Sequence, residues 1–574
     1  MYRHVDSRYL DLYQFASGDT FDTERIDYQE GNSMQLGEVL LTALKQAGAR
    51  HLYGIPGDFI LPFFEQAEQS SILPLVTLSH EPGIGFAADG AARMSCRPAA
   101  VAVTYGAGAL NLVNAIAGAF AERSPLFVIA GCPSEAERGS GFLLHHQAKT
   151  LDSQYRIYSE ITCDQARITD ADTAPDIIAR LLRSCITYSQ PVLLELPRDL
   201  ATVPCLPVVP LSPLPFEPQA ISACAEEILD VLSGANSPVL MVDVEIRRYD
   251  LEDEVAALAR RLNVPVVTTL MGRGLLADTD VRVLGTYLGE AGDPELTELV
   301  ESSDALLLLG VILSDSNFGP SGKRLDIRKA MLVSNREVQL GYHNYHEIPM
   351  GELIQALLER LPEPGRIEPE QPAASPMWEV DDQPLTPADI AAGINLFIAD
   401  QPDPVPIASD IGDCLFTSLD IHHTPVVAPG YYASMGFGVP AGIGIQLTTG
   451  HRPIILVGDG AFQMTGWELG NCQRLEVDPI VVLLNNRSWE MIRVFQPNSQ
   501  CSDLGDWHYA GLADALGGLG LRVSTRRDFR AALAEADQAR GSFVLIEVML
   551  ESGAVSPTLK QFAKRLQAKR SLSP

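Results

Sequence analysis

Two polar residues that follow apolar segments are the first candidates for chemistry in this chain. Asp459 lies in a Gly-Asp-Gly sequence directly after the apolar run Ile454–Val457, and Asn486 follows the apolar run Ile480–Leu484. Apolar runs joined by a helical segment are typical of parallel strands, whose carboxyl ends form the ligand-binding edge of α/β sheets. Carboxylate and amide oxygens are hard ligands that suit Mg²⁺. The pattern therefore predicts a metal-bound diphosphate at this edge.

The glycines on either side of Asp459 support this interpretation. Gly458 and Gly460 allow the backbone to approach a phosphate, and the helix that follows directs its N-terminus toward the anion. A Gly-Asp-Gly sequence alone is a common turn, but its combination with a helix and a terminal Asn-Asn pair is much more specific.

The segment RPIILVGDGAFQMTGWELGNCQRLEVDPIVVLLNNRSWE resembles the diphosphate- and metal-binding motif of thiamine diphosphate (ThDP) enzymes. In that family the motif Asp, the second Asn and a main-chain carbonyl two residues later hold the metal. The resemblance implies Mg²⁺ bound by Asp459, Asn486 and the carbonyl of Ser488. The cofactor-binding residues that it implies in this segment are Gly458, Asp459, Gly460, Ala461, Asn486 and Ser488.

Composition limits the class of protein. The net charge of −31 disfavours nucleic acids and anionic membranes as partners, since these are negatively charged themselves. Nine cysteines without Cys-x-x-Cys spacing favour a reducing cytoplasm over a disulfide-bonded secreted protein. Apolar runs such as Ala305–Leu313 are too short to span a bilayer. We therefore expect a cytoplasmic protein without nucleic acid or membrane partners.

Apolar strand patterns alternate with helical patterns in three parts of the chain, separated by Pro-rich linkers. The sequence predicts an α/β protein with three doubly wound parallel-sheet domains. Residues 1–33 fit none of these patterns and are assigned to an N-terminal extension. The predicted domains are residues 34–205, 220–362 and 385–574, the last of which carries the metal motif and a C-terminal helix. Their order matches the pyrimidine-binding, middle and diphosphate-binding domains of ThDP decarboxylases.

Glu81 is the candidate for cofactor activation. It lies in LPLVTLSHEPGIGFAADGAARM, between a predicted strand and a Pro-started helix, where the helix dipole alone would favour an acid. The segment closely matches the Glu segment of the ThDP family. By that resemblance, Glu81 hydrogen-bonds N1′ of the aminopyrimidine, so that the 4′-amino group becomes a base and deprotonates thiazolium C2 to the ylid.

Three further protic residues belong to the first domain. Taken alone, Asp58 in LYGIPGDFILPFF could simply be a helix cap. His145 and His146 in SGFLLHHQAKT could simply be exposed histidines without a function. Together, GIPGDF and the His-His pair resemble the 2-oxo acid decarboxylase branch, where these residues are in the active site. Imidazoles titrate near neutrality, so they can bind a carboxylate or relay a proton. The preceding GCPSEAERGSG is predicted to be a mobile lid.

Four assignments complete the cofactor site that the resemblance implies. Thr104, in a Gly-rich segment without GxGxxG spacing, is assigned to the wall of the reaction cavity. Taken alone, Met435 could be an ordinary core residue, but the resemblance implies that it bends ThDP into a V shape. The resemblance also implies that the carbonyl of Ala433 accepts a hydrogen bond from the 4′-amino group. Asp413 in DIGDCLF is assigned to the pyrimidine.

The chain departs from the pyruvate decarboxylase pattern after the Asn-Asn pair. That pattern has a Glu six residues after the second Asn, where this chain has Ile492; Glu490 comes two residues earlier and is expected to point elsewhere. The substrate end of the cavity is then apolar, with Trp489, Met491 and Ile492. Apolar burial stabilises binding by about 25 cal/mol per Å², which favours bulky substrates. NNxSWEM resembles the phenylpyruvate/indole-3-pyruvate decarboxylase subgroup.

The resemblance implies non-oxidative decarboxylation of phenylpyruvate, indole-3-pyruvate or another bulky 2-oxo acid to an aldehyde and CO₂, through a ThDP ylid and enamine. Pyruvate or a branched-chain 2-oxo acid is the alternative substrate. An acetolactate-type carboligase is disfavoured by the His-His pair, and an inactive cofactor-binding protein by the intact Glu81, Asp459 and Asn486. Because sites in this family form across subunits, we expect at least a homodimer and a homotetramer as the assembly.

Overall fold

The computed structural model describes residues 34–318, 325–363, 378–422 and 424–571. The predicted N-terminal extension, residues 1–33, lies outside them. The chain forms two compact units, the first with one sheet and the second with two. The described residues of the first unit are 34–88, 97–120 and 124–213, and those of the second are 89–96, 121–123 and the described residues from 214 onward.

The sheet of the first unit has six parallel strands in the order β2-β1-β3-β4-β6-β5. Every residue of its central strands Ala99–Val103 and Leu126–Cys132 is buried, which is typical of a parallel sheet covered by helices on both faces. The strands are β1 Leu52–Gly54, β2 Leu75–Val76, β3 Ala99–Val103, β4 Leu126–Cys132, β5 Asp164–Arg167 and β6 Val192–Pro197. The helices are α1 Leu36–Gln46, α2 Leu61–Ser70, α3 Glu81–Ser95, α4 Ala107–Ala121, α5 Glu135–Arg138, α6 Ser153–Tyr158 and α7 Ala174–Tyr188.

The first sheet of the second unit has seven strands in the order β13-β12-β11-β10-β7-β8-β9. The strands are β7 Pro238–Val242, β8 Val266–Thr268, β9 Val283–Thr286, β10 Ala305–Leu309, β11 Met331–Ser334, β12 Arg336–Leu340 and β13 His343–Ile348. The helices are α8 Pro218–Gly234, α9 Glu245–Arg248, α10 Glu252–Leu262, α11 Pro294–Glu301, α12 Asp315–Phe318 and α13 Met350–Arg360, with 3₁₀ turns at Gly289–Ala291 and Ile327–Lys329.

This sheet differs from the predicted all-parallel arrangement at one edge. Strands β12 and β13 are antiparallel to their neighbours. The connections are too short for a helical crossover, so only antiparallel pairing can link these strands. Burial alternates along β12, as it does in a strand with one exposed face.

The last sheet has six parallel strands in the order β15-β14-β16-β17-β19-β18. The strands are β14 Ile407–Ser409, β15 Val426–Val427, β16 Ile454–Gly458, β17 Ile480–Asn485, β18 Leu519–Val523 and β19 Val544–Met549. The helices are α14 Pro387–Ala399, α15 Asp413–Ser418, α16 Gly438–Thr449, α17 Asp459–Thr465, α18 Glu490–Phe495, α19 Tyr509–Ala515, α20 Arg526–Gln538 and α21 Pro557–Ser571, with 3₁₀ turns at Gly466–Asn471 and Gln500–Ser502.

Each sheet packs against its helices through an apolar core. The α/β class and the three sheets of mostly parallel strands are confirmed. Among the described residues, no helix combines the length and apolarity that crossing a bilayer requires.

A buried carboxyl group lies at the carboxyl end of β7. Asp243 accepts hydrogen bonds from the backbone N–H groups of Val244 at 2.8 Å and Ile312 at 3.1 Å, and from Asn317 Nδ2 at 3.1 Å. These bonds favour the carboxylate, but burial outweighs them and raises the pKa of Asp243 to about 7.

We expect Asp243 to make the stability of the protein depend on pH. Because its pKa is higher in the folded chain than in the unfolded chain, its contribution is fully present below about pH 4 and is lost as pH rises through about 7. An Asp243→Asn variant cannot ionise there, so its Tm should fall less than that of the wild type between pH 5 and pH 8, measured by calorimetry.

Asp304→Asn is the control for this measurement. Asp304 accepts backbone N–H groups of Asn236 and Ser237, which lower its pKa to about 2, outside the window tested. An Asp243→Asn variant whose Tm follows the wild-type pH dependence would contradict the assignment.

Candidate active site

The strands that precede Asp459 and Asn486 are direct neighbours in the last sheet. Strands β16 and β17 pair in parallel, with Gly458 opposite Leu484. Asp459 is the first residue of helix α17, and Asn486 directly follows β17. The predicted parallel arrangement is therefore confirmed, and both side chains leave the sheet at its carboxyl edge.

The backbone of Ser488 connects the predicted metal ligands. Its N–H donates to Asp459 Oδ2 at 3.2 Å and to Asn486 Oδ1 at 3.1 Å. Arg487 has a left-handed backbone with φ of 56°, which folds the chain back so that one N–H reaches both side chains. All three predicted ligand residues are at most 8% exposed. The structure thus brings the three predicted ligands together.

The chemistry of this cluster fits a metal-bound diphosphate. Burial raises the pKa of Asp459 to about 6, although the N–H groups of Gly460 and Ser488 favour its charged form. A nearby divalent cation would favour the carboxylate, and every donor is a hard oxygen, as Mg²⁺ requires. A Cβ at Gly458 would meet only Cys414 Sγ, at 3.9 Å, so the backbone is open to a ligand there.

Gly460 is needed for a different reason. A Cβ at this position would lie 2.3 Å from the indole ring of Trp489. Trp489 therefore packs directly on the Gly-Asp-Gly segment, and its side chain remains 38% exposed. The residue assigned to the substrate pocket thus lies at the diphosphate motif.

The DIGDCLF segment contributes two buried acids. Asp413, the predicted pyrimidine contact, accepts from Ser556 Oγ at 2.5 Å and Ser556 N at 2.9 Å. Asp410 directly follows β14 and accepts from the N–H groups of Gly436 at 3.2 Å and Gly438 at 2.8 Å. Burial raises the pKa of both acids to about 6.

Asp410 is a buried acid near the predicted site that sequence reasoning did not select. Its two glycine partners directly follow the predicted cofactor residues Ala433 and Met435. Ala433 has a left-handed backbone with φ of 61°, and Met435 is partly buried. The available signal was the position of Asp410 at a strand end, the same signal that identified Asp459.

A second missed acid follows the Asn-Asn pair. Glu490, which was expected to point elsewhere, is 5% exposed, and its Oε2 accepts no hydrogen bond from the described residues. Arg493 Nε lies 3.9 Å from this oxygen. Burial is the main cause of the raised pKa values of Asp413 and Asp459, and the nearby charge of Glu490 adds to it. This carboxylate therefore belongs to the electrostatic environment of the metal motif.

The two other residues assigned to the substrate pocket differ in exposure. Met491 packs partly buried against a core cluster that contains Leu415 and Phe416. Ile492 is 47% exposed, although it is apolar. Ile492 thus presents apolar surface at the position where the pyruvate decarboxylase pattern has a glutamate.

In the first unit, Glu81 is the first residue of helix α3 and is partly buried. Asn111, on α4, donates from Nδ2 to Glu81 Oε2 at 2.6 Å and also lies 2.8 Å from His80 Nε2. Sequence reasoning missed Asn111, because only the packing of α3 and α4 brings these residues together. The amide fixes one oxygen of the predicted catalytic carboxylate.

Asp58, His145 and His146 form one cluster in the first unit. His145 Nε2 lies 2.5 Å from Asp58 Oδ2, and His146 Nε2 lies 3.6 Å from Asp58 Oδ1. The Phe59 ring packs against both imidazoles, with centroid distances of 4.8 and 6.2 Å. Asp58 lies before the helix cap Ile60, so the capping interpretation does not apply. The three protic groups predicted from separate segments are thus adjacent.

Backbone conformation also fixes this cluster. His146 has φ of 63°, and its carbonyl approaches Gly106 so closely that a Cβ there would lie 1.8 Å from the oxygen. Thr104 is 7% exposed, lies beneath Gly57, and its Oγ1 has no hydrogen-bond partner among the described residues. Thr104 therefore keeps a buried hydroxyl group available near the cluster.

The predicted lid contains the short helix α5. Ser134 caps it, with its hydroxyl accepting from the N–H of Glu137. Arg198 pairs with Glu137, and Arg138 pairs with Asp152 at 2.7 Å. The lid assignment itself stays a prediction.

Comparisons with known proteins agree with this organisation. The thiamine pyrophosphate enzyme N-terminal TPP binding domain matches residues 34–157, the central domain matches residues 225–361, and the C-terminal TPP binding domain matches residues 410–548. An indole-3-pyruvate decarboxylase from Azospirillum brasilense is 54% identical over 541 residues, covering 93% of this chain and 99% of the relative.

The chain belongs to the thiamine diphosphate-dependent 2-oxo acid decarboxylases.

More distant relatives carry related descriptions. An alpha-keto-acid decarboxylase from Mycolicibacterium paratuberculosis is 30% identical over 544 residues, covering 90% of this chain and 93% of the relative. One from Mycobacterium ulcerans is 29% identical over 562 residues, covering 92% and 96%. In this decarboxylase, therefore, the Asp459 motif belongs to a TPP-binding domain, and so does Glu81.

The predicted role of Asp459 as a metal ligand can be tested through cofactor binding. Asp459→Asn keeps the size of the side chain but removes the charge, so Mg²⁺-dependent ThDP binding should weaken by about 100-fold. Titration of the cofactor-free protein with ThDP, with and without Mg²⁺, measures this. Unchanged Mg²⁺-dependent affinity would exclude Asp459 as a ligand.

The contribution of the Asn111 amide beside Glu81 can be tested by steady-state kinetics. Asn111→Leu removes the donor to Glu81 Oε2, so kcat at saturating ThDP should fall by about 10-fold, a part of the typical contribution of an acid-base group. Steady-state assays with Asn114→Leu, one turn along α4, as the control measure this effect. Equal kcat values for both variants would show that the amide is dispensable.

Proposed function

We propose that this enzyme decarboxylates an aromatic 2-oxo acid, indole-3-pyruvate or phenylpyruvate, to the aldehyde and CO₂. The observation that carries the proposal is Ile492, an apolar residue 47% exposed where the pyruvate decarboxylase pattern has a glutamate. The 54% identity to an indole-3-pyruvate decarboxylase over nearly the whole chain supports the same substrate class.

The size of the effect can be estimated from apolar burial. An aromatic side chain buries about 150 Å² or more, compared with little for the methyl group of pyruvate. At about 25 cal/mol per Å² this amounts to ~4 kcal/mol, an upper limit, or nearly a thousandfold in binding. An apolar residue at position 492 also avoids the cost of burying a carboxylate against an aromatic ring.

The residues of this chain suit the roles that the reaction requires. We propose that Asp459, Asn486 and the Ser488 carbonyl hold Mg²⁺ and through it the diphosphate of ThDP. Ala433, Met435 and Asp413 would contact the remainder of the cofactor. When bound, ThDP supplies the electron sink for loss of CO₂. Gly458 would leave the backbone accessible to the diphosphate, and Gly460 and Ala461 would contribute the first turn of α17 that faces it.

Proton handling falls to the first unit. Glu81, held by Asn111, would keep a proton at the pyrimidine N1′. His145 and His146 would bind the substrate carboxylate, and together with Asp58 they would deliver the proton that completes the aldehyde. We also propose a cytoplasmic homodimer as the smallest active form, with a homotetramer as the assembly, because the resemblance to this family implies that Glu81 and the metal motif meet across a subunit interface.

Aldehyde release by the holoenzyme tests the proposal. With ThDP and Mg²⁺ present, kcat/KM for indole-3-pyruvate and phenylpyruvate should exceed that for pyruvate by at least about 100-fold, within the limit set by apolar burial. Preference for pyruvate would overturn the substrate assignment. Carbon–carbon coupled products without aldehyde would instead indicate a carboligase.

The variant Ile492→Glu tests the residue that carries the argument. A carboxylate at this position should lower kcat/KM for the aromatic substrates by about 10-fold or more, because it must be desolvated against the ring. Ile492→Leu keeps the apolar surface and is the matched control. Equal aromatic kcat/KM values in the two variants would show that position 492 does not select the substrate.

A further inference from the structure

A buried ionic cluster in the second unit is separate from all residues assigned above. Asp89 and Arg93 lie on the last two turns of α3, and Glu122 follows the end of α4. All three are at most 2% exposed. A buried ion pair contributes little net stability, because desolvation offsets the attraction between its charges. Net stability therefore does not account for this cluster, and its other hydrogen-bond partners must be considered.

Arg93 is bonded on all sides. Its Nε and Nη2 donate to the two oxygens of Asp89, both at 2.7 Å. Its Nη1 donates to Glu122 Oε2 and, at 3.1 Å, to the carbonyl of Ala428. The guanidinium also lies 5.1 Å from the ring centroid of Phe437. One side chain thus contacts both ends of the segment 428–437.

Glu122 binds the middle of the same segment. Its Oε1 accepts from the backbone N–H of Tyr431 at 2.8 Å and of Tyr432 at 2.7 Å. The segment between Ala428 and Phe437 forms no helix or strand. Without a regular hydrogen-bond ladder, its conformation depends on such external partners.

Two sets of anchors hold this segment, which we call the 428–437 loop. Before Ala433, the anchors are Glu122 and Arg93. After Met435, Asp410 accepts from Gly436 and Gly438, and Thr465 Oγ1 donates to the Gly436 carbonyl at 2.7 Å. The residues between the two sets include Ala433, whose φ of 61° is a strained conformation for a non-glycine residue.

We propose that Glu122 and Arg93 are positioning residues that set the 428–437 loop for the pyrimidine half of ThDP. The inference rests on the proposed roles of Ala433 and Met435 in contacting that half of the cofactor. Strain at Ala433 persists only if its neighbours over-determine it, and Glu122 supplies two hydrogen bonds directly before it. The diphosphate motif has its own partners, so the two halves of the cofactor site can be perturbed separately.

The charge of Glu122 is essential to this arrangement. A carboxylate can accept from the two tyrosine N–H groups with one oxygen and from Arg93 with the other. The amide of Glu122→Gln has one accepting oxygen and one donating nitrogen, so it satisfies only one of the two sides. In Arg93→Lys a single ammonium group replaces the planar fork that bonds Asp89, Glu122 and Ala428 together.

The test compares ThDP with magnesium pyrophosphate as ligands of the cofactor-free full-length protein by calorimetry. Pyrophosphate occupies only the diphosphate motif. We expect Glu122→Gln and Arg93→Lys to raise the Kd of ThDP by at least about 10-fold while leaving the Kd of magnesium pyrophosphate within about twofold of wild type, since one ordered hydrogen-bond set is lost at the pyrimidine side alone. Glu122→Asp, which retains the charge, should restore part of the ThDP affinity.

Asp389→Asn is the matched control for loss of a buried carboxylate. Asp389 bonds Arg526 at 2.8 Å and lies on α14, apart from the loop. It should lower the Tm of the cofactor-free protein without changing the Kd of ThDP. ThDP affinity equal to wild type in Glu122→Gln and Arg93→Lys would overturn the proposal, and so would parallel loss of ThDP and pyrophosphate binding.

The binding readout separates this inference from the proposed function. A wild-type protein that binds ThDP without releasing aldehyde would contradict the proposed reaction and leave the positioning test intact. A wild-type protein that decarboxylates aromatic 2-oxo acids, with variants that bind ThDP normally, would contradict the positioning inference alone.

Discussion

Desolvation of carboxylates at the carboxyl edge of the last sheet is the constraint on which the site depends. Asp410, Asp413 and Asp459 are all at most 9% exposed, and burial raises the pKa of each to about 6. The cost of burial is offset by different means. All three accept hydrogen bonds from the protein, and in the proposed function Asp459 also binds a cation. Similar side chains would thereby acquire structural and ligand-binding roles.

Backbone conformation is the second common element. Arg487, Ala433 and His146 all have left-handed φ values, between 56° and 63°. Each lies beside residues for which the sequence predicts a chemical role. Neighbouring contacts hold each of them: Ser488 with Asp459 next to Arg487, Tyr431 with Glu122 near Ala433, and His145 with Asp58 next to His146. At these three positions the left-handed backbone directs neighbouring groups toward their partners.

The proposed function assigns substrate selectivity and proton handling to separate residues. Protic groups cluster around Asp58 in the first unit, while the apolar Ile492 follows the metal motif in the second unit. Under this proposal, an apolar residue in place of an acid at position 492 would change the desolvation of a bulky substrate without altering the Asp58 cluster. Such a separation would allow members of one family to share a reaction and differ in substrate.

Local sequence alone determined the metal motif and its strands. Strand, helix and strand follow one another within residues 454–486. The signals for them are local: the apolar runs, the glycines and the terminal asparagines can be read without knowledge of distant contacts. The parallel sheets follow from the same alternation. The antiparallel strands β12 and β13 were missed, because their short connections allow only antiparallel pairing and depart from that alternation. The groups Asp58, His145 and His146 came from resemblance, since nothing local connects residues 87 positions apart.

Tertiary structure decided the partners of these groups. Asn111 meets Glu81 only because helices α3 and α4 pack together, and Glu122 meets Tyr431 across 309 positions of sequence. Asp410 and Glu490 are acids whose roles depend on burial, which sequence spacing does not reveal. A hydrogen bond between distant residues leaves no periodic trace in the chain, because its geometry is set by the packing of whole elements. The sequence therefore predicts the groups that would do chemistry, and the fold selects the groups that hold them in place.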